Sequence, residues 1–142
     1  MGLREILLVA TGGAVGSSLR YTVTGVTERW YASLFAAAPA GGILTGLPFG
    51  TFVVNITGSL LIGLAAGLAE TRTFLGPETR LLLVTGILGG YTTFSAFSLE
   101  SLLLIRSGQS ASALLSIFLQ VSLGVAAAWL GFMAGLAAGR PA

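Results

Sequence analysis

The sequence contains no lysine, aspartate, histidine or cysteine. Without histidine there is no imidazole acid–base catalysis, and without cysteine there are no thiol nucleophiles, disulfides or common zinc sites. Charged residues make up 8% of the chain, against about a quarter of a typical soluble domain. The positive charges are scattered arginines, which is not the clustered pattern of a nucleic-acid-binding protein. With no nucleophile–base pair and no cluster of metal ligands, we expect no enzymatic activity.

Long apolar segments take the place of the missing charge, since 54% of the residues are hydrophobic. Roughly 20 consecutive apolar residues cross the hydrocarbon core of a bilayer as a helix. Four segments reach this length, at about 4–26, 49–69, 80–105 and 110–138. The sequence therefore predicts an all-α membrane protein, a single domain of four transmembrane helices over residues 1–142. The first apolar run lacks an A-x-A-like cleavage site, so we expect it to be retained as a helix.

The longest connection is predicted over residues 27–48. Trp30 and Tyr31 suit the headgroup region of a membrane, where aromatic residues with a polar end are enriched. Residues 36–46 contain a proline and several glycines, and a short interfacial helix is one interpretation of them. The sequence leaves the role of residues 31–47 open.

The third apolar segment is predicted to contain a break near the membrane midplane, at residues 89–93. Paired glycines there are followed by a tyrosine and two threonines, and β-branched residues lose rotamer freedom in a helix. Backbone groups released by a break inside a membrane must be buried in protein or line a polar cavity. Two interpretations follow: Gly86 and Gly90 allow close helix packing, or the break holds an ion.

Polar residues in the other segments also allow more than one interpretation. Thr51, Asn55 and Ser59 lie on one helical face, where Asn55 either bonds a neighbouring helix or offers its amide protons to a small anion. Arg20 either marks the interface, attracts anions to an aqueous vestibule or pairs with Glu100. Glu100 allows three interpretations: it lies near the interface, it is paired with an arginine, or it is protonated.

The segment Gly89-Gly90-x-Thr92-Thr93-Phe94-Ser95-x-Phe97 resembles the signature of the small fluoride channels of the Fluc/CrcB family. Three further segments match that family in the same order: Gly12-Gly13-x-x-Gly16-x-x-x-Arg20-Tyr21, Gly50-Thr51-x-x-x-Asn55-x-x-Gly58-Ser59, and Ser98-x-Glu100. The resemblance covers nearly the whole chain, and it favours the ion-site interpretation of the break.

The resemblance implies a fluoride-selective channel that passively exports cytoplasmic fluoride across the cell (inner or plasma) membrane of a prokaryote. The residues that it implies for the fluoride pathway are Thr51, Asn55, Thr93, Phe94, Ser95, Phe97, Glu100 and Ser122, with Arg20 in a vestibule or at the interface. Phenyl edges are electropositive, so they can face an anion without holding it tightly. The family pattern is broken at Ala96, where threonine is usual, and at Phe118, which the alignment places opposite a tyrosine.

An antiparallel homodimer with dual topology is predicted from the arginines. Around four spans, Arg4, Arg72, Arg80 and Arg140 fall on one side and Arg20, Arg29 and Arg106 on the other, so neither orientation is favoured. The resemblance implies the same dimer, with fluoride and the lipid bilayer as its other partners and no nucleic acid. It also implies a structural sodium ion, not transported, on the backbone carbonyls of Gly89 and Thr92 from both chains.

Two other functions are considered. A small dual-topology, proton-coupled drug exporter needs a carboxylate at the membrane midplane, and Glu5 and Glu100 do not fit that place. A packing subunit of a larger complex would account for the regularly spaced glycines, but it leaves Thr51, Asn55 and residues 89–97 unexplained.

Overall fold

The computed structural model describes residues 2–37, 42–71 and 76–139. Within these ranges the regular structure is helical, without β-strands, and four helices are long and apolar enough to cross a membrane. They are α1 (Leu3–Leu34), α2 (Phe49–Glu70), α3 (Pro77–Arg106) and α4 (Ser110–Ala138). The prediction of an all-α, multi-pass membrane protein is confirmed.

The first helix is longer than the apolar segment that predicted it. It continues to Leu34, because no proline and no further glycine interrupts it after Gly25. Tyr31 therefore lies on its last turns, where its ring stacks on Phe49 at the start of α2, with centroids 4.6 Å apart. Of the short helix considered for 36–46, positions 38–41 lie outside the described residues, and 43–46 form hydrogen-bonded turns.

The helices pack in two close pairs through glycines. In α2 and α4, a Cβ added to Gly63 would overlap the Ala128 carbonyl oxygen, and one added to Gly131 would overlap that of Leu60. In α1 and α3, a Cβ on Gly12 would lie 2.6 Å from the Leu82 oxygen. Backbones can approach this closely only where the side chain is absent, which is how membrane helices associate. Gly86 and Gly90 pack in the same way, as one interpretation predicted, since a Cβ added there would lie 2.9 Å from Gly12 Cα and 2.7 Å from the Gly13 oxygen.

The third helix is built from several segments. After a first turn at Pro77–Arg80 it is wound as a π-helix over Leu81–Leu88, and α-helix follows over Gly89–Tyr91 and Phe94–Arg106. Thr92 and Thr93 between the last two are extended, with φ/ψ of −76°/159° and −151°/113°. The paired glycines are thus still helical, and the threonines carry the change of conformation, as their β-branching favours.

The interior of the chain is made of small and polar residues. Val54 is the one large side chain that is fully buried in the described part, and the buried polar residues are Thr51, Ser101, Ser112, Ser116 and Gln120. Large apolar side chains such as Leu114 and Val125 are about two-thirds exposed on the outer faces. In a soluble protein the large apolar side chains lie inside and the polar ones outside. The opposite distribution seen here suits a chain surrounded by lipid.

Candidate functional site

The side chain of Asn55 is bonded twice to the backbone at the interruption of α3. Its Oδ1 accepts a hydrogen bond from the Thr93 amide at 2.9 Å, and its Nδ2 donates to the Thr93 carbonyl at 3.1 Å. In a continuous helix the Thr93 amide would bond the carbonyl of Gly89, four residues earlier. Asn55 therefore replaces the helical partners that the extended backbone gives up.

The second Nδ2 proton of Asn55 goes to Gln120 on α4, whose Oε1 lies 2.9 Å away. Gln120 is itself 7% exposed, and its Nε2 lies 3.5 Å from Ser116 Oγ. Asn55 therefore bonds neighbouring helices, which is one of its two interpretations from the sequence. Its two amide protons are donated to Thr93 on α3 and to Gln120 on α4. An anion that binds Asn55 must displace one of these two acceptors.

Gln120 was not among the residues predicted from the sequence, although a signal was present. Ser112, Ser116 and Gln120 are spaced i, i+4, i+8, the same periodicity that singled out Asn55 on α2. Farther along this face, Gly124 lies against Ser59, so this is the side of α4 that meets the polar face of α2.

The two α4 residues that the family alignment singled out lie elsewhere on the helix. Phe118 is 65% exposed, and Ser122 is exposed as well. The structure does not bring the predicted pathway residue Ser122 to Asn55 within one chain.

Arg20 on α1 reaches the same interruption from the opposite side. Its Nη1 donates to the carbonyl of Thr92 at 3.1 Å. The helical partner of that carbonyl would be the Ala96 amide, which instead donates to Thr93 Oγ1 at 3.1 Å. The guanidinium thus satisfies a carbonyl that the interruption has released.

Glu100 is held by a hydroxyl. Thr51, 2% exposed, donates its Oγ1 proton to Glu100 Oε1 at 2.7 Å. The other oxygen, Oε2, is buried without a hydrogen-bond partner. Within the described ranges no arginine forms an ion pair with Glu100, so the predicted pairing with Arg20 is not what the structure shows.

Two clefts meet at Thr93. The first, here called the arginine cleft, has a volume of about 560 Å³, and its walls include Arg20, Arg29, Thr51, Thr93 and Glu100. The second, the amide cleft, has a volume of about 320 Å³ and is lined by Asn55, Ser59, Ile62, Thr92, Thr93 and Phe94. Thr93 lines both clefts, and its partner Asn55 lines the amide cleft. The side chain of Ala96 adds only a methyl group to the arginine cleft, where the family usually has a hydroxyl.

The two phenylalanines lie together just past the interruption. The ring centroids of Phe94 and Phe97 are 5.6 Å apart, with the ring planes at 55°. Phe94 is 78% exposed and lines the amide cleft, and Phe97 is partly buried. Ser95, also exposed, shares a 3.3 Å hydrogen bond with Thr93 Oγ1. The tilted rings turn electropositive edges in more than one direction beside Thr93.

The carbonyls predicted to hold sodium can be tested against these contacts. Because the Thr93 amide donates to Asn55, the Gly89 carbonyl lacks the donor that it would have in a continuous helix. The Thr92 carbonyl accepts one bond from Arg20 and has a second lone pair left. Carbonyl oxygens released at a helix interruption are ligands that Na⁺ accepts in membrane proteins, so the donor set fits this ion.

Comparison with known proteins identifies the family of the chain. A family model described as "CrcB-like protein, Camphor Resistance (CrcB)" matches residues 7–132. The chain is 45% identical over 138 residues to a protein of Maridesulfovibrio salexigens named "Fluoride-specific ion channel FluC", with 97% of each chain covered.

Other relatives carry the same name. One from Methylobacillus flagellatus is 42% identical over 90% of this chain and 91% of its own. One from Rhizobium meliloti is 46% identical over 91% of this chain and 94% of its own. These names are those of ion channels and not of enzymes, as the sequence predicted. The resemblance inferred from residues 89–97 is therefore confirmed, and the chain belongs to the CrcB family.

Proposed function

We propose that this protein is a fluoride-selective channel through which cytoplasmic fluoride leaves passively across the inner or plasma membrane of a bacterium. The name shared by its relatives supports the ion. The observation that carries the proposal is the pair formed by Asn55 and Thr93, because Thr93 borders two clefts whose linings include hydroxyl, amide and charged side chains, in a chain whose outer surface is mostly apolar. This location suits a filter, since an ion moving from one cleft to the other passes these side chains.

Hydrogen-bond donors are what a dehydrated fluoride ion needs at such a filter. Fluoride accepts hydrogen bonds and cannot donate them, so it competes for protons with the acceptors already present. At Asn55 it would replace either the Thr93 carbonyl or Gln120 Oε1 on the amide group. The exchange of one acceptor for another leaves no donor unsatisfied, so the cost of binding is that of the displaced oxygen, and its return to the amide favours release of the ion.

The phenylalanines would continue the path beyond the amide. Phe94 lines the amide cleft and is in ring contact with Phe97. A ring edge attracts an anion through its quadrupole more weakly than a charged side chain does. Weak, successive sites favour conduction, because an ion must leave each site as readily as it enters.

The arginine cleft would collect anions on the other side of the filter. Two arginines, Arg20 and Arg29, and one carboxyl group, Glu100, are among its lining residues. The excess of positive charge raises the local concentration of anions. Thr51 holds Glu100 Oε1, and another hydroxyl of the cleft, Thr93 Oγ1, belongs to the filter pair itself.

We further propose that two chains assemble antiparallel, with the interruption of α3 at the midplane. The even distribution of arginines supports two orientations. Exposed residues of the predicted pathway, Phe94 and Ser95 on α3 and Ser122 on α4, would then be covered by the partner chain. Within one chain Ser122 does not reach Asn55. A path built from both chains would bring it to pathway residues of the partner chain.

The structural sodium belongs to the same assembly. One chain offers two carbonyls, those of Gly89 and Thr92, and an antiparallel pair would offer four. When bound there, a sodium ion would supply fixed positive charge at the centre of the dimer. The residues of this chain hold the carbonyls in place: Asn55 keeps the Thr93 amide away from Gly89, and Arg20 anchors Thr92.

Efflux from liposomes tests the function. Purified protein is reconstituted with fluoride or chloride inside, and release is followed with ion-selective electrodes. Fast fluoride release without matching chloride release is the expected result. If verified dimers release no fluoride, the proposal is wrong, and proton-driven export of a drug, with Glu100 as the first residue to change, becomes the function to measure.

A further inference from the structure

The orientation of every amide in the chain of contacts around Asn55 is set by one backbone group. The Thr93 N–H can only donate, so the atom of Asn55 that faces it must be Oδ1. Nδ2 then faces the Thr93 carbonyl, and its second proton points to α4. The group that receives this proton must be an acceptor, and Gln120 places its Oε1 there at 2.9 Å.

Gln120 does not line either cleft. It is 7% exposed, and neither the arginine cleft nor the amide cleft includes it among the lining residues described. Asn55, by contrast, lines the amide cleft. An effect of Gln120 on an ion must therefore pass through Asn55.

Without Gln120, the second proton of Asn55, in a part-buried position, would have no protein acceptor, which is costly. The carboxamide would keep its two bonds to Thr93 but lose the third contact that fixes its rotation, so the two bonds to Thr93 would open more often. The extended conformation at Thr93 depends on these bonds, because they replace the helical ones. Gln120 thus fixes the χ2 angle of Asn55, and through Asn55 it restrains the backbone of Thr93.

We propose that Gln120 is a positioning residue, which locks the amide of Asn55 and so holds the Thr93 backbone in its extended form. This role adds a residue to the proposed channel. Its effect on ion flow rests on the proposed function, whereas its effect on the Thr93 backbone does not. The geometry itself can be measured without any ion, at the Thr93 amide.

The test compares hydrogen exchange at the Thr93 amide, resolved by NMR on the full-length protein in micelles, between variants. Gln120→Met keeps the length of the side chain and removes the acceptor, and we expect exchange at Thr93 to speed up about fivefold, the effect of one lost neutral hydrogen bond. Amides in the second half of α3, such as that of Leu104, should keep their rate. Gln120→Glu retains an acceptor oxygen and should keep slow exchange. The same change at the other glutamine, Gln109→Met, is the matched control.

A double-mutant cycle separates positioning from a general contribution to stability. If Gln120 acts through Asn55, exchange at Thr93 in Asn55→Leu/Gln120→Met should equal that in Asn55→Leu alone. Additive effects, or an unchanged Thr93 rate in Gln120→Met, would overturn the proposal. If Gln120→Met does not fold, Gln120→Asn takes its place, because an amide shorter by one methylene withdraws its oxygen from Asn55. Absence of fluoride flux in the unmodified protein would disprove the channel and leave these exchange rates as a valid test.

Discussion

Arg20 donates a hydrogen bond to the carbonyl of Thr92 at 3.1 Å, so a fixed positive charge sits on a backbone oxygen that the resemblance assigns to sodium. The carbonyl has two lone pairs, so it can accept from Arg20 and still face a sodium ion, at a cost in repulsion between the two cations. The guanidinium lies in the arginine cleft, on the α1 side of α3. Arg20 therefore joins two proposed features, the collection of anions and the structural ion.

Arg20→Ala should slow fluoride efflux about tenfold, because a charge-assisted hydrogen bond to the filter backbone and the positive charge of the cleft are both lost. The decrease should be larger at low ionic strength, where screening is weaker. Efflux from liposomes at two salt concentrations measures it. Arg106→Ala, at the exposed end of α3, is the matched control. Equal efflux from the Arg20 and Arg106 variants would remove Arg20 from the pathway.

Asn55→Leu should lower both stability and flux, because three hydrogen bonds disappear and the Thr93 amide loses its acceptor. We expect a loss of about 3 kcal/mol of stability, from about 1 kcal/mol per bond. Thermal unfolding in detergent and fluoride efflux measure the two effects. Gln109→Leu, at the start of α4, controls for replacing an amide by leucine. A variant as stable as the unmodified protein would show that the Asn55 contacts contribute little.

The fold followed from properties that are local in the sequence. Apolar length predicted the four helices, and the Thr92-Thr93 pair after two glycines predicted a change of conformation in α3. The regular glycines predicted close packing, since a missing side chain matters only where another backbone approaches. The π-helical winding of Leu81–Leu88 has no such local pattern, and it was not predicted.

The contacts of the site were less predictable, because each joins residues far apart in the chain. Asn55 was singled out, but its partners Thr93 and Gln120 follow from the packing of three helices. Arg20 was expected at the interface, in an aqueous vestibule or on Glu100. Its bond to a released carbonyl depends on which backbone groups the interruption frees. On α4 the family alignment directed attention to Ser122, although the periodicity of Ser116 and Gln120 was visible in the sequence.

Phe94→Ile and Phe97→Ile should each reduce fluoride efflux at least about tenfold while the protein still folds, because bulk is kept and the electropositive edge is lost. Selectivity against chloride should also fall if the edges discriminate between anions. Efflux of both ions measures this, with Phe132→Ile on α4 as the control. Unchanged fluoride efflux in both variants would contradict a role for the ring edges.

Gly63→Ala should destabilise the protein by about 2 kcal/mol or more, because the added methyl overlaps the Ala128 carbonyl oxygen and forces α2 and α4 apart. Gly25→Ala in α1 should have the opposite sign. No atom lies within 4 Å of the added Cβ there, and alanine is the better helix former by up to about 1 kcal/mol. Thermal unfolding of the two variants gives the comparison. Equal stabilities would mean that α2 and α4 are not in close contact.

Dual topology can be tested with single cysteines, since the chain has none of its own. The start of α1 and the turn at Gly108 lie on opposite sides of the membrane if all four helices cross it. Cysteines at Gly2 and at Ser107 in this turn should therefore each be labelled from outside in roughly half of the molecules when both orientations insert. A reagent that does not cross membranes is added to intact cells, then again after lysis. Complete labelling of one position and none of the other would show a single orientation, and it would exclude the antiparallel dimer as the source of the missing contacts of Ser122.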